Sequence, residues 1–378
     1  MTADGTGSTR VDVDRAGAHD GDAADGRRPL RLREVTLALT ALSLWVLWRT
    51  GPSKVPFLEG FEKFAREWPD AEALPREAYV LRNFLGPLLY QGVPDPSPTR
   101  FLALHVVATA LTAALLGAWL LRRLGSRTGP TAIALLLLSP VTALLLLWIG
   151  IYDAFGVLVW VLLLMSLAGR PWLQVLAGAL AGAQNLEQVG VGIVLLALVP
   201  ELQRAAGLRA RPVALLAGAV LGRVLLEAYL RSAGAPSGSR LTFLSDPELL
   251  QNVTKTFAVM APVVLFSVLG GLWGFALTHL RDHAAGWARS LQLRVALVLA
   301  LALGFSFLAA DHTRVLLLIT FPLLVCGVLA LAPRIGDLRA LARRPEAWLL
   351  VLVPPVLVQD DNLLRIGIKL GTWGVGPF

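Results

Sequence analysis

The stretch "PWLQVLAGALAGAQNLEQVGVGIVLLALVP" (171–200) decides the fold. Read as one span, it buries "QNLEQ" (184–188) near the middle of the bilayer. Read as two helices of about 12 residues, each half reaches about 18 Å, too short to cross alone. The segment then turns back as a re-entrant hairpin with the polar residues at its tip, a form tolerated where protein buries it. The downstream arginines choose between the two. With the hairpin, the cytoplasmic loops carry Arg204, Arg209, Arg211, Arg281, Arg289, Arg294, Arg334, Arg339, Arg343 and Arg344. The outer loops then carry Arg231, Arg240, Lys255, Arg314, Arg365 and Lys369, spread over longer stretches. A single span inverts this pattern, against the excess of positive charge expected in cytoplasmic loops. The hairpin is therefore expected over 172–200.

The rest of the chain follows from that choice. Of 378 residues, 56% are hydrophobic and the mean hydropathy is +0.65, above the roughly 45–50% apolar content of soluble domains. Runs such as "TAIALLLLSPVTALLLLWIG" (131–150) and "VLLLITFPLLVCGVLALA" (315–332) approach the roughly 20 residues that a helix needs to cross a bilayer. The expected fold is all-α, a polytopic transmembrane helical bundle. Nine full spans are expected, near 35–50, 101–121, 130–149, 151–169, 212–230, 256–280, 294–310, 314–333 and 347–358, besides the hairpin. Residues 1–34 read as a disordered cytoplasmic tail and 35–378 as a single transmembrane domain. The first apolar run lies too late for a cleavable signal peptide. Arg27, Arg28, Arg31 and Arg33 hold the N-terminus in the cytoplasm, and the C-terminus falls outside. The outer loop 51–100 carries two amphipathic stretches, "FLEGFEKFAREWPD" (57–70) and "AYVLRNFLGPLLYQGV" (78–93), suited to lying on a membrane surface.

The net charge of +8 sits between spans and does not suggest nucleic acid. Arginine dominates it, with Lys only at 54, 63, 255 and 369. With abundant Ala, Leu and Gly, this fits a GC-rich bacterial genome and hence the bacterial cytoplasmic membrane. Cys326 has no partner cysteine and reads as a core residue. No His or Cys spacing suggests a transition metal, and no glycine-rich phosphate loop precedes a helix.

In this topology the membrane-depth polar residues gather at one face. "LAADHTRVLLL" (308–318) places Asp311, His312, Thr313 and Arg314 in a tight outer turn. Asp153 opens a span at the same level. Gln184, Asn185, Glu187 and Gln188 form the hairpin tip, Arg223 and Glu227 lie one turn apart, and Gln359, Asp360 and Asp361 follow the last span. Polar groups at this depth line a cavity or pair with each other, and convergence from five segments favours a cavity. Each group also has a local explanation: an i,i+4 ion pair for Arg223 and Glu227, a helix N-terminal acid for Asp153, a cap for Asp311.

The order of features resembles the GT-C superfamily of integral membrane glycosyltransferases. The likeness is carried by "YVLRNFLGPLLYQGVPDPSPTRFLALHVVATAL" (79–111), by "LSPVTALLLLWIGIYDAFGVLVWVLL" (138–163) and by "LAGALAGAQNLEQVGVGIVLLAL" (176–198). Where that family usually has an Asp soon after its first span, the nearest acids here are Glu59 and Glu62. The resemblance implies a polyprenyl-phosphate-linked sugar donor and a lipid or cell-envelope glycan acceptor, at the outer face of the membrane. Glu59 or Glu62, with Asp153 as the alternative, would take the acceptor proton. Arg314, with Arg223, would hold the donor phosphate, and Asp311 would orient Arg314. Glu187 and Gln184 complete the expected substrate-binding set. No cofactor is called for, although carboxylates can hold a divalent cation. The rival readings are a lipid-linked saccharide flippase or other transporter, and a non-catalytic membrane scaffold.

Overall fold

A computed structural model describes residues 30–72, 78–236, 247–283, 286, 288–309, 311–353, 355–359 and 362–364. Its regular structure is helical, apart from a short antiparallel pair, β1 (Leu357–Gln359) with β2 (Asn362–Leu364). Among the described residues, six helical segments are long and apolar enough to cross a membrane. They are α4 (Pro98–Leu137), α7 (Pro171–Leu198), α9 (Pro212–Ser232), the Val259–Asp282 segment, α12 (Arg289–Ser306) and α13 (His312–Ile335). The Val259–Asp282 segment joins α10 (Pro247–Leu269) to α11 (Trp273–His283) through one 3₁₀ turn.

Prolines set many of the starts. Pro98, Pro171 and Pro212 open α4, α7 and α9, where a missing N–H costs nothing because the first turn has no partner for it. Pro140, Pro200 and Pro345 do the same for three short helices, α5 (Pro140–Leu146), α8 (Pro200–Ala205) and α15 (Pro345–Leu352). The axle of the bundle is α13. Inside the protein it buries 78% of its most apolar window, against 17% for α12. It packs on α4, α7, α10, α12 and α6 (Asp153–Ser166).

Two of the long helices are not single rods. In α4, Gly125 has a φ of 73°, and Gly129 lies against Leu121 while Gly117 faces Ile133. Its two halves therefore run alongside each other, in the places of the expected spans 101–121 and 130–149. The second half ends at Leu137, and Ser139–Pro140 starts α5 as a separate piece. In α7, Asn185 leaves helical geometry at φ −166° and ψ 86°. Near its start, Gln174 accepts from the Arg211 N–H and donates to the Arg209 carbonyl. Just past its end, Gln203 donates to the Leu196 carbonyl and accepts from the Ala210 N–H. A straight helix would hold Gln174 and Leu196 about 33 Å apart.

The expected ninth span, 347–358, is not a helix over that length. α15 stops at Leu352, and Val353, which precedes a proline, is extended at ψ 115°. The end of α15 is held by α1 (Leu32–Thr50), whose buried Arg49 donates to the carbonyls of Leu350, Val351 and Val353 at 2.9–3.2 Å. A cation at a helix C-terminus satisfies carbonyls that lack helical partners. The expected tail 1–34 lies outside the described residues up to position 29, and helix α1 already begins at Leu32.

Basic residues collect at the Ile335 end of α13. Arg123 donates to the carbonyls of Ala206 and Gly207, Arg294 pairs with Glu201 at 2.7 Å, and Arg339 pairs with Glu34 at 3.1 Å. The Thr131 hydroxyl donates to the Gly336 carbonyl, tying the second half of α4 to the same end.

Candidate functional site

At the opposite end of α13, polar side chains from several elements meet. α6 begins with Asp153, and α13 begins just after Asp311. Gly156 faces Leu318, so the two helix starts lie side by side. Arg314 donates through Nε to Asp153 Oδ2 at 2.8 Å and through Nη2 to Oδ1 at 3.0 Å. Its Nη1 donates to Asp311 Oδ2 at 2.5 Å. The Arg314 and Asp153 side chains are 7% and 3% exposed, whereas Asp311 is 25% exposed. Asp311 sits at the cap position of α13 but makes no side-chain cap; its carboxylate goes to Arg314. His312 is buried, with Nδ1 3.2 Å from the Ser306 carbonyl and its ring stacked on Phe307.

Aromatic rings close the triad. The guanidinium of Arg314 lies 5.4 Å from the Trp148 ring and 5.6 Å from the Tyr152 ring, within cation–π range. Trp148 itself has a φ of 56°, in the left-handed region that disfavours side chains with a Cβ, at a cost of about 1–3 kcal/mol. The strain persists because this connection is strapped down. Ser53 N–H donates to Leu146, Ile149 N–H to Ser53 and Val55 N–H to Ile149, all at 2.8–3.0 Å. Gly150, at φ 113°, lets the strap approach: a Cβ there would stand 2.8 Å from Leu58. The cavity beside Asp153 is about 10 Å³, lined by His105, Thr109, Leu144 and Trp148 among others. It has room for about one water.

A second cluster stands on α7 and α9. Glu227 receives Arg82 at 2.6 Å and 3.0 Å, a two-pronged pair, and Arg223 at 3.0 Å. Arg223 reaches on to Glu187 at 3.4 Å. Gln184 accepts the Leu85 N–H at 3.1 Å. Among the described residues, the buried Gln184 Nε2 and Asn83 Oδ1 have no hydrogen-bond partner. The segment that supplies Leu85 also connects the clusters, since Gly86 lies on the ring of Phe155, two residues beyond Asp153.

The loop acids divide. Both stand on α2 (Leu58–Glu67), an amphipathic helix within the expected 57–70 stretch. Glu62 is buried and accepts from the Tyr90 hydroxyl at 2.8 Å, with Arg66 3.8 Å away. Tyr90 is on α3 (Leu85–Gln91). Burial, and then the Glu62 carboxylate, push its hydroxyl up to about 12, so it keeps its proton. Replacing Tyr90 by Phe leaves a buried carboxylate without its donor. Thermal denaturation of the detergent-solubilised protein should show a loss of about 1–3 kcal/mol, and adding Glu62→Gln should recover most of it. Glu59 is exposed and makes no side-chain hydrogen bond or ion pair among the described residues. It follows Leu58, which packs against Gly150 in the connection that leads to Asp153.

The expected residues thus fall into two clusters and a pair of loop acids. Asp153, Asp311 and Arg314 come together; so do Arg223, Glu187 and Glu227. Sequence reasoning missed Arg82, Asn83, Tyr90, Trp148 and Tyr152. Arg82 carried a signal, an arginine followed by asparagine inside the apolar "YVLRNFLG" (79–86). Asp360 and Asp361 lie outside the described residues. Among the described residues, no three His, Cys, Asp or Glu side chains gather so as to hold a metal ion. Comparison with known protein families, with characterised proteins and with solved structures finds no match.

Proposed function

We propose that this chain is an integral membrane glycosyltransferase. It would use a polyprenyl-phosphate-linked sugar at the outer face of the bacterial cytoplasmic membrane and act on a lipid or cell-envelope glycan. The observation that carries this reading is the placement of two charged clusters, Asp153–Arg314–Asp311 and Arg82–Glu227–Arg223–Glu187, with aromatic rings beside the first. Gln184 and Asn83 add a buried donor and a buried acceptor without partners, the kind of group that a polar ligand satisfies. Sidedness is supported by the basic residues at the Ile335 end of α13, which belong in the cytoplasm by the positive-inside rule. The attachment of both ends of α7 to residues 203–211 supports a re-entrant hairpin with Gln184–Gln188 at its tip.

The chemistry follows from exposure and charge. An acceptor hydroxyl attacks the anomeric carbon of the donor, its proton passes to a carboxylate, and the sugar–phosphate bond breaks to release polyprenyl phosphate. Of Glu59, Glu62 and Asp153, Glu59 is the exposed carboxylate. Both oxygens of Asp153 are taken by Arg314, so Asp153 acts by holding that guanidinium. The triad carries a net charge of −1, and a donor phosphate reaches Arg314 only by displacing Asp311, the more exposed partner. The small cavity beside Asp153 means that the 53–58 strap moves when substrate enters.

The test uses the full-length chain in nanodiscs with polyprenyl-phosphate sugars and an envelope extract as acceptor. Glu59→Gln should lower transfer about 100-fold or more while leaving the thermal midpoint unchanged. Asp311→Asn should tighten donor binding. The break at Asn185 favours a second reading, a lipid-linked saccharide transporter, because transporters place interrupted helices at their binding sites. Lipid-linked sugar scrambling without transfer would support the transporter, and the absence of both activities would overturn each reading.

A further inference from the structure

The Ile335 end of α13 holds a cavity of about 600 Å³, walled by α11, by the end of α13 and by the start of α15. Its polar lining includes Thr278, His279, Asp282, Arg334, Arg344 and Glu346. The acids are engaged. Glu346 accepts from the Thr278 hydroxyl at 3.1 Å, and Asp282 accepts from Arg281 Nε at 2.9 Å. Among the described residues, the guanidiniums of Arg334 and Arg344 have no hydrogen-bond or ion-pair partner. Two forked cations with donors to spare line this one cavity, and a guanidinium binds a phosphate group through paired N–H bonds.

We propose that this cavity is a phosphate-binding site, separate from the Asp153–Arg314 triad. Arg314 and Arg334 are twenty residues apart on one helix, so the two sites stand about 30 Å apart, at opposite ends of a membrane-crossing element. The site takes a phosphoryl anion, borne either by a lipid headgroup or by a small soluble phosphate. This proposal does not depend on the transferase reading.

The experiment uses the full-length chain in two settings. In phosphatidylcholine nanodiscs it is titrated with inorganic phosphate and with pyrophosphate by calorimetry. From mixed micelles, retained phosphatidylglycerol is counted by native mass spectrometry. Binding of the soluble anions identifies a free phosphate ligand, and selective retention of phosphatidylglycerol identifies a headgroup. In either case the double substitution R334Q/R344Q should weaken binding about tenfold or more, the scale of a lost charge-assisted hydrogen bond. E346Q keeps its contact with Thr278 and removes a negative charge, so it should tighten binding. It also serves as the arm that survives if the double variant fails to fold. No binding of any probe overturns the proposal, as does unchanged affinity in R334Q/R344Q or, should that variant not fold, in E346Q.

Discussion

Replacing Arg314 by Gln is expected to destabilise the protein by about 3–5 kcal/mol, the largest single-residue loss among its charged groups. The cause is the carboxylate left behind. Asp153 is 3% exposed at its side chain, and both its oxygens are bonded to Arg314. Without the guanidinium, that charge remains buried beside Trp148 and Phe155 with no cation to meet it. A second substitution, Asp153→Asn, removes the stranded charge, so D153N/R314Q should be clearly more stable than R314Q alone. Arg314→Lys should fall between, because an ammonium cannot grip two carboxylates in a planar fork. Asp311→Asn should cost little, since that partner is the most exposed of the three. Thermal midpoints in detergent, read by loss of the monodisperse peak on size exclusion, rank the four variants. If R314Q and wild type melt together, the pair is not holding α6 to α13.

The variants also explain what could be read from the chain before its structure. The apolar runs marked the long helices, and the break in polarity at 184–188 coincides with the departure of Asn185 from helical geometry. The Arg223–Glu227 pair was legible because four-residue spacing on a helix brings two side chains together. Asp153 and Arg314 each stood out as charges in apolar surroundings, but their partnership spans 161 positions, and nothing local encodes it. Arg82 was harder still, because it lies in a short 3₁₀ turn and its partner Glu227 is 145 positions away. Nine full spans were expected, and six helical segments among the described residues are long and apolar enough to cross a membrane. Hydropathy sums over a window and does not see that Ser139–Pro140 interrupts one run, or that α6 is only 14 residues long.

The second large effect is expected where α7 meets α9. Gly178 lies on Leu215 and Gly182 on Ala219, while Gly218 lies on Val175 and Gly222 on Ala179. Both sets rise together along the sequence, so the first half of α7 and α9 run in the same direction with their backbones touching. A Cβ at Gly182 or Gly222 would overlap the facing carbonyl oxygen, which no rotamer change relieves. In a membrane this contact is carried by packing of backbone on backbone. Gly182→Ala and Gly222→Ala should each destabilise by about 1–3 kcal/mol or more, the scale of overpacking in a filled core. The loss should spread beyond the crossing. Arg223 directly follows Gly222 and Glu187 stands five residues beyond Gly182, so forcing the helices apart lengthens their 3.4 Å contact and draws Glu227 away from Arg82. Gly190 supplies the control in the same helix. A Cβ there meets nothing within 4 Å, and alanine is the better helix former by about 1 kcal/mol. Gly190→Ala should therefore melt at or above the wild-type temperature. If it falls as far as Gly182→Ala, the penalty does not come from the crossing, and the clusters on α7 and α9 would not depend on it.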